Sequence, residues 1–598
     1  MQKTAFCKMI KLFDIAYHIA KHEKPFAYYP SLVKLEKRHG VDLEDAYINP
    51  KQARVFTQYL AEQIHLEVSK QVLSSRYISV LVDGSTDRST TEKEVLYVKY
   101  LHKDGVPRMA FVGTEDIESA TADGILHCIR SLLISKGIPN WTDHLVGFGA
   151  DGASVNFGCR QGIYTKLKMD MPWLIGIHCL AHRLELACKN AFQGTYFNQE
   201  IDGFPSFYTS FYRGSGKRRR ELDRLAELLD ESVLTPTRVD GTRWVDHRRR
   251  ALKALETNIP AVIAYLSEVG SDQRQDIKKA DAARVRGWLK KVKSNEFLLH
   301  IGLYMDVLGE LSHLSLQFQK DSISLPTAVE AIETSKEVLK DMAKGDGPKL
   351  RAVKVECRCG SYRGVALSDT YADAEERLKS SREPLIHDIV ACLDERYQTD
   401  TILMAMCKLD PKHWPEDLTE YGNEEVLLLL EHFKEILKKN GCDVENVMAE
   451  WTRLKKVINR SYRGLKWEEL WSQILRVWSE EFPNILHIIE NIQVMPMSTS
   501  KVERAFSLLN RVKTDWRINL NTATVKDLMM ISLEGPEEED AAAGCVESAV
   551  KKWFRSGKKA RWPHIKPYGK RQQVRPATSP MADSDTDDDN DELVLFDK

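Results

Sequence analysis

Two aspartates stand out by what surrounds them. Asp83 closes the short β-branched run YISVLVDGSTD (77–87), Asp151 closes HLVGFGADGAS (144–154), and a glycine follows each. Runs of this kind read as strands. The glycine lets the chain turn away and leaves the carboxylate at the sheet edge. If the two strands are neighbours, the carboxylates converge. Such a pair suits a hard cation such as Mg2+, which takes carboxylate oxygens and keeps room for water and phosphate. Two such ions, roughly 3.5–4 Å apart, activate an attacking water or hydroxyl and stabilise the leaving oxygen. A single Asp-Gly after a strand is most often only a turn. Two at matching strand ends are what give the metal reading its weight. Asp87 is an alternative to Asp83, ranked lower because it lies beyond the turn in a Ser/Thr-rich loop.

The elements that must position these residues follow from local pattern. EVLYVKYLHKDG (94–105) and VPRMAFVGTEDI (106–117) read as a hairpin turning at Lys103-Asp104-Gly105. TADGILHCIRSLLISKG (121–137) is an amphipathic helix stopped by Gly137. WLIGIHC (173–179) is a further strand, running into the helix LAHRLELACKNAF (180–192). Three meandering strands followed by crossover units predict an α/β fold, a mixed sheet with helices on its faces. Residues 1–76 read as a helical segment and 77–195 as the first part of the core. Residues 196–484 read as a large all-helical insertion, with runs such as NEFLLHIGLYMDVLGELSHLSLQF. Residues 485–535 return to short apolar helices. From 536 to 598 the chain reads as a charged, disordered tail, basic over 551–575 and acidic over 583–592. The basic block fits a nuclear-import or nucleic-acid patch as well as a solvated tail.

Four segments resemble the hAT transposase superfamily and host proteins derived from it. They are LVDGSTD, then GFGADGASVN with IGIHCLAHRLELA, then TRWVDHRRRAL, and MSTSKVERAFSLLNRVKTDWRINL. The last is the most specific, and the resemblance covers roughly residues 1–535. It implies an RNase H-like core split by the helical insertion, and a C-terminal region, 485–535, through which copies of the chain dimerise. It also supplies a third carboxylate, Glu503, which spacing alone does not single out. The implied set Asp83, Asp151 and Glu503 would hold Mg2+ or Mn2+ for DNA strand cleavage and transfer. The resemblance further places Cys179 and His182, one turn apart on one helix face, near the site in DNA handling. As residues alone, a buried Cys and a structural His explain them equally well. His178 reads as projecting elsewhere. In the same way Trp244 would stack on a flipped base, for roughly 1–3 kcal/mol, although a core Trp anchoring the insertion is an equal reading. Arg243, Arg248, Arg249 and Arg250 around it suit phosphates. Lys217, Arg218 and Arg219 of RGSGKRRR (213–220) read as a phosphate-contacting loop.

Bulk properties bound the rest. The chain has 598 residues and a formal net charge of -1, so any nucleic-acid signal is local rather than global. Eleven scattered cysteines point to a reducing compartment, and no apolar run is long enough to span a bilayer. The expected partners are DNA and a second copy of the chain, the expected location is the nucleus, and no membrane partner is expected. Family members usually open with a BED-type zinc finger. None is read here, so the expectation is a truncated or domesticated product. The alternative to a working transposase is a non-catalytic interaction or transcription-regulatory scaffold. No RING-like Cys/His spacing argues for a modifier ligase.

Overall fold

The computed structural model describes residues 2–86, 91–117, 119–204, 207, 211, 215–228, 243–270, 279–398, 400–514, 517 and 519–556. Asp87, the start of the RGSGKRRR segment and the charged stretch from 557 onward lie outside the described residues.

Five strands form one mixed sheet: β1 (Ile78–Thr86), β2 (Glu92–Leu101), β3 (Pro107–Asp116), β4 (Leu145–Ala150) and β5 (Ile175–His178). The order is β3-β2-β1-β4-β5. The first three strands meander antiparallel, while β4 and β5 add in parallel to β1. The β2–β3 turn closes at Gly105, whose φ of 77° an L side chain rarely adopts. The crossover from edge strand β3 to interior strand β4 runs through the helix Ala122–Ser135, capped by Thr121 Oγ1 accepting from Gly124 N–H. This is the expected α/β architecture, and β1 and β4 are the neighbours that the two aspartates require.

The insertion is built from long helices. Among them, Asn295–Phe318 is buried along nearly its whole length. A two-residue-a-side hairpin, Ser361–Tyr362 with Val365–Ala366, interrupts it, so the expectation of an all-helical insertion is corrected in that detail. The chain then returns through Ile485–Gln493, a wholly buried helix. A polar lock fixes this return: Arg76, just before β1, holds Glu490 with Nε at 2.9 Å and Nη2 at 2.5 Å and reaches His487 Nε2 with Nη1 at 2.9 Å.

Within the stretch read as an unstructured tail from 536, residues 538–555 are helical instead, and the remainder from 557 lies outside the described residues. The helix Glu547–Arg555 packs back on the N-terminal helices, and Trp553 meets Phe13, Phe56 and Tyr47 edge to face. Its apolar face was hidden by the charges that flank it.

The helix Thr522–Glu534 lies between the sheet and the N-terminal helices. Its last residue, Glu534, accepts Phe111 N–H of β3 at 2.7 Å. Burial pushes this carboxyl up to about 7, against smaller opposing effects of Lys501, Phe111 N–H and Lys21. A carboxyl raised on folding favours the folded state while protonated. That contribution is present below the unfolded value near 4.5 and is lost as pH rises through about 7. Glu534→Gln keeps an oxygen for Phe111 N–H and cannot ionise. Denaturant unfolding is expected to show the variant more stable than the parent by about 1–3 kcal/mol at pH 8, with the gap closing at pH 5. An equal gap at both pH values would contradict this.

Candidate active site

Parallel pairing brings the two aspartates together. Leu81 of β1 pairs with Gly149 of β4, and each aspartate lies two residues further on, so Asp83 and Asp151 leave the sheet side by side on one face. Asp151 is oriented by its own turn: Oδ1 accepts Ala153 N–H at 3.1 Å and Asn156 Nδ2 at 2.7 Å. Burial pushes the Asp83 carboxyl up to about 7, with the charges of Glu503 and Asp151 adding to it and Gly84 N–H offsetting part.

Glu503 sits in the first turn of the helix Ser500–Val512, which packs on β1 and β2. A short extended segment fixes where that helix begins. Pro496 lies flat on β4 over Gly147 and Gly149, where a Cβ at either glycine would come within 2.8 Å of its ring. Lys99 Nζ donates to Met495 O at 2.8 Å, Leu180 N–H to Met497 O at 3.1 Å, and Thr499 N–H to Cys179 Sγ at 3.3 Å. Ser498 Oγ accepts Ser500 N–H at 3.3 Å just ahead of the helix. Strand β4 and the Cys179 corner thus deliver Glu503 to the sheet edge, three hundred residues later in the chain.

Glu503 does not stand alone. Arg243 Nη2 lies 3.4 Å from its Oε2, and Arg243 Nη1 donates to Gln319 Oε1 at 2.7 Å. The Arg-Trp motif therefore contacts the third carboxylate directly. The oxygens of Asp83, Asp151 and Glu503 do not all fall within 4.8 Å of one another.

Sequence reading also missed a buried acid behind Asp83, on the other face of the sheet. Glu94 of β2 pairs opposite Gly84, and its Oε2 would lie 2.9 Å from a Cβ at that glycine. The carboxylate therefore covers the backbone beside Asp83. Burial, then the charges of Asp83 and Asp151, push it up to about 8. No local signal marks it, because only the strand register places it there.

Around this centre the other expected residues divide. Cys179 is fully buried and accepts Thr499 N–H, so it anchors the segment before Glu503 and offers no open sulfur. His182 is half-buried one turn along, with its ring 5.4 Å from that of His178. His178 corrects the reading that it projects elsewhere. Its ring packs on Gly152, where any Cβ would collide at 2.2 Å, next to Asp151. Burial pulls this imidazole down to about 4, so it is neutral at pH 7. Glu185, also missed, follows His182 by three residues and accepts Val245 N–H at 3.1 Å, satisfying the start of the insertion helix Trp244–Val269.

Trp244 is half-buried against Phe192 and Phe197, with ring centroids 5.0 and 5.9 Å away. The Arg248 guanidinium lies 5.1 Å from its ring and pairs with Asp202 through Nε at 3.0 Å and Nη2 at 3.1 Å. Arg249 and Arg250 are exposed. Lys217, Arg218 and Arg219 lie in the first turn of a helix, Gly216–Leu228, which corrects the loop reading. Arg218 packs on Phe211 at 4.0 Å and pairs with Asp281 at 3.6 Å, while Lys217 meets Glu221 at 3.9 Å.

Two matches to known families fall on this geometry. Residues 42–160 match the family described as ZMYM1/FAM200, RNase-like domain, and residues 449–534 match the hAT family C-terminal dimerisation region. The first spans Asp83, Glu94 and Asp151, and the second spans Glu503.

Proposed function

From a chain that derives from an hAT transposase and carries that family's dimerisation region, we propose a nuclear DNA-binding protein that self-associates and cleaves or joins DNA strands at Asp83, Asp151 and Glu503. The observation that carries the reading is the union of three carboxylates from β1, β4 and a helix beyond the insertion at one sheet edge.

The donor set fits Mg2+ or Mn2+. All its ligands are hard oxygens, and burial first, then the neighbouring carboxylate charges, raise the Asp83 carboxyl. Strand cleavage and transfer of this kind uses two ions. Asp83 and Asp151 would hold them, with Glu503 completing the set. Ions bound there supply the activation of water or a 3'-hydroxyl and the stabilisation of the leaving oxygen. The residues of the chain do the rest. Asn156 and Ala153 N–H orient Asp151, and Cys179 and Thr499 set the position of Glu503. Arg249 and Arg250 are exposed on the same helix as Trp244 and would meet phosphates, and that indole reaches a base once Arg248 leaves its face.

A second reading rests on the Arg243–Glu503 pair, which occupies the third carboxylate with a cation of the chain itself. In it the same scaffold is a non-catalytic, transcription-regulatory protein. Nicking of supercoiled plasmid by the purified chain with Mg2+ or Mn2+, run beside Asp151→Ala, separates the two. Activity lost in the variant supports catalysis, and inactivity of both moves the function to the scaffold.

A further inference from the structure

A second cluster of ligating side chains lies apart from the carboxylate site and shares no residue with it. His18 lies in the last turn of the helix Gln2–Lys21 and His22 directly follows it, its N–H donating to His18 O at 3.0 Å, so the two rings lie together with centroids 4.6 Å apart. Both imidazoles aim at a single atom. His18 Nδ1 is 2.7 Å and His22 Nε2 is 2.9 Å from Oε1 of Glu538, a residue more than five hundred positions away. The three ligand atoms all lie within 4.8 Å of one another.

The meeting is held by the backbone around it. Tyr17 Oη donates to Pro536 O, and Lys21 Nζ donates to Gly535 O at 2.6 Å. A side chain at 535 would meet Tyr17 Oη at 2.6 Å, so the glycine is needed for this approach. These bonds seat the chain leaving the helix Thr522–Glu534 across the imidazole pair. Asp14 lies one turn before His18, and partial burial followed by the charge of Glu538 raises its carboxyl. A carboxylate thus meets two nitrogen ligands at one point. Two imidazoles and a carboxylate are the donor set of borderline divalent ions, and such sites keep a fourth position for water or another carboxylate. All three side chains are exposed, so they can open by the few tenths of an ångström that separate a hydrogen-bonded N···O pair from two ligands of one ion.

We infer that His18, His22 and Glu538 bind a divalent ion of the zinc class, and that the ion clamps the N-terminal helix to the segment just after the dimerisation region. The site goes beyond the DNA chemistry proposed above and does not depend on it.

The test is a Zn2+ titration of the chelator-treated full chain against a chromophoric competitor, repeated with Co2+. One equivalent is expected to be absent from the double variant His18→Ala/His22→Ala. Its Co2+ spectrum is expected to show tetrahedral d–d bands without thiolate charge transfer, which separates it from ions on the exposed Cys7, Cys159 and Cys359. Glu538→Gln, which keeps both histidines, is expected to weaken that equivalent by at least tenfold, since even outer-shell changes cost roughly 10–100-fold. Equal stoichiometry and affinity in parent and double variant would overturn the site. So would a lost equivalent whose Co2+ spectrum carries a thiolate band, or full affinity in Glu538→Gln.

Discussion

Asp151→Asn is expected to lower metal-dependent nicking of supercoiled plasmid by roughly 10^3-fold or more while leaving the fold intact. The two effects separate because of how Asp151 is held. Both of its hydrogen bonds, from Ala153 N–H and Asn156 Nδ2, go to Oδ1. An asparagine offers the same oxygen to the same donors. What disappears is the charge, and with it a ligand whose loss costs several kcal/mol of transition-state stabilisation. The charge of Asp151 also helps raise Asp83 and Glu94. Removing it relieves repulsion, so the unfolding midpoint of the metal-free variant is expected to match or exceed that of the parent. Nicking measured against Mn2+ concentration, beside a thermal melt without metal, checks both halves. Retained activity, or loss of activity accompanied by a collapsed melting temperature, would defeat the account of this residue.

Arg76→Met is expected to destabilise the protein by about 2–4 kcal/mol, although Arg76 lies outside the site. Its guanidinium satisfies both oxygens of Glu490, whose side chain is only 8% exposed. Removing one member of a buried pair typically costs 3–5 kcal/mol because the other charge is left without compensation. The lower figure applies here because Arg76 itself is 40% exposed and screened by water. His487 depends on the same group. Arg76 Nη1 donates to Nε2, which leaves Nδ1 to carry the proton toward Tyr77 Oη at 2.5 Å. Burial and Arg76 pull this imidazole down to about 3, so it is neutral in this arrangement. Denaturant midpoints should show the single variant well below the parent and Arg76→Met/Glu490→Gln recovering most of the loss. A single variant within about 0.5 kcal/mol of the parent would refute the lock.

The strands that carry Asp83 and Asp151 were legible because β-branched runs are local signals, but their adjacency stayed conditional until the pairing settled it, and β1 runs on through Gly84 to Thr86 where a turn was expected. The helical insertion was legible for the same local reason, and Glu503 only through the family resemblance. What escaped reading is set by contacts between distant segments. Glu94 comes to lie behind Asp83, on the other face of the sheet, by strand register. His178 turns toward Asp151 because Gly152 leaves room for a ring. Arg243 reads as a phosphate ligand until the insertion returns Glu503 to it. Glu185 is one glutamate among many until Val245 N–H needs an acceptor. The helix Glu547–Arg555 has an apolar face that only the N-terminal helices complete.

Anomalous diffraction from crystals of the full chain soaked in Mn2+ tests the central claim most directly. Two anomalous peaks bounded by Asp83, Asp151 and Glu503, with Arg243 drawn away from Glu503, are the predicted result. No peak at that sheet edge at saturating Mn2+, with Glu503 still paired to Arg243, would contradict a metal-dependent site and leave the chain as a scaffold.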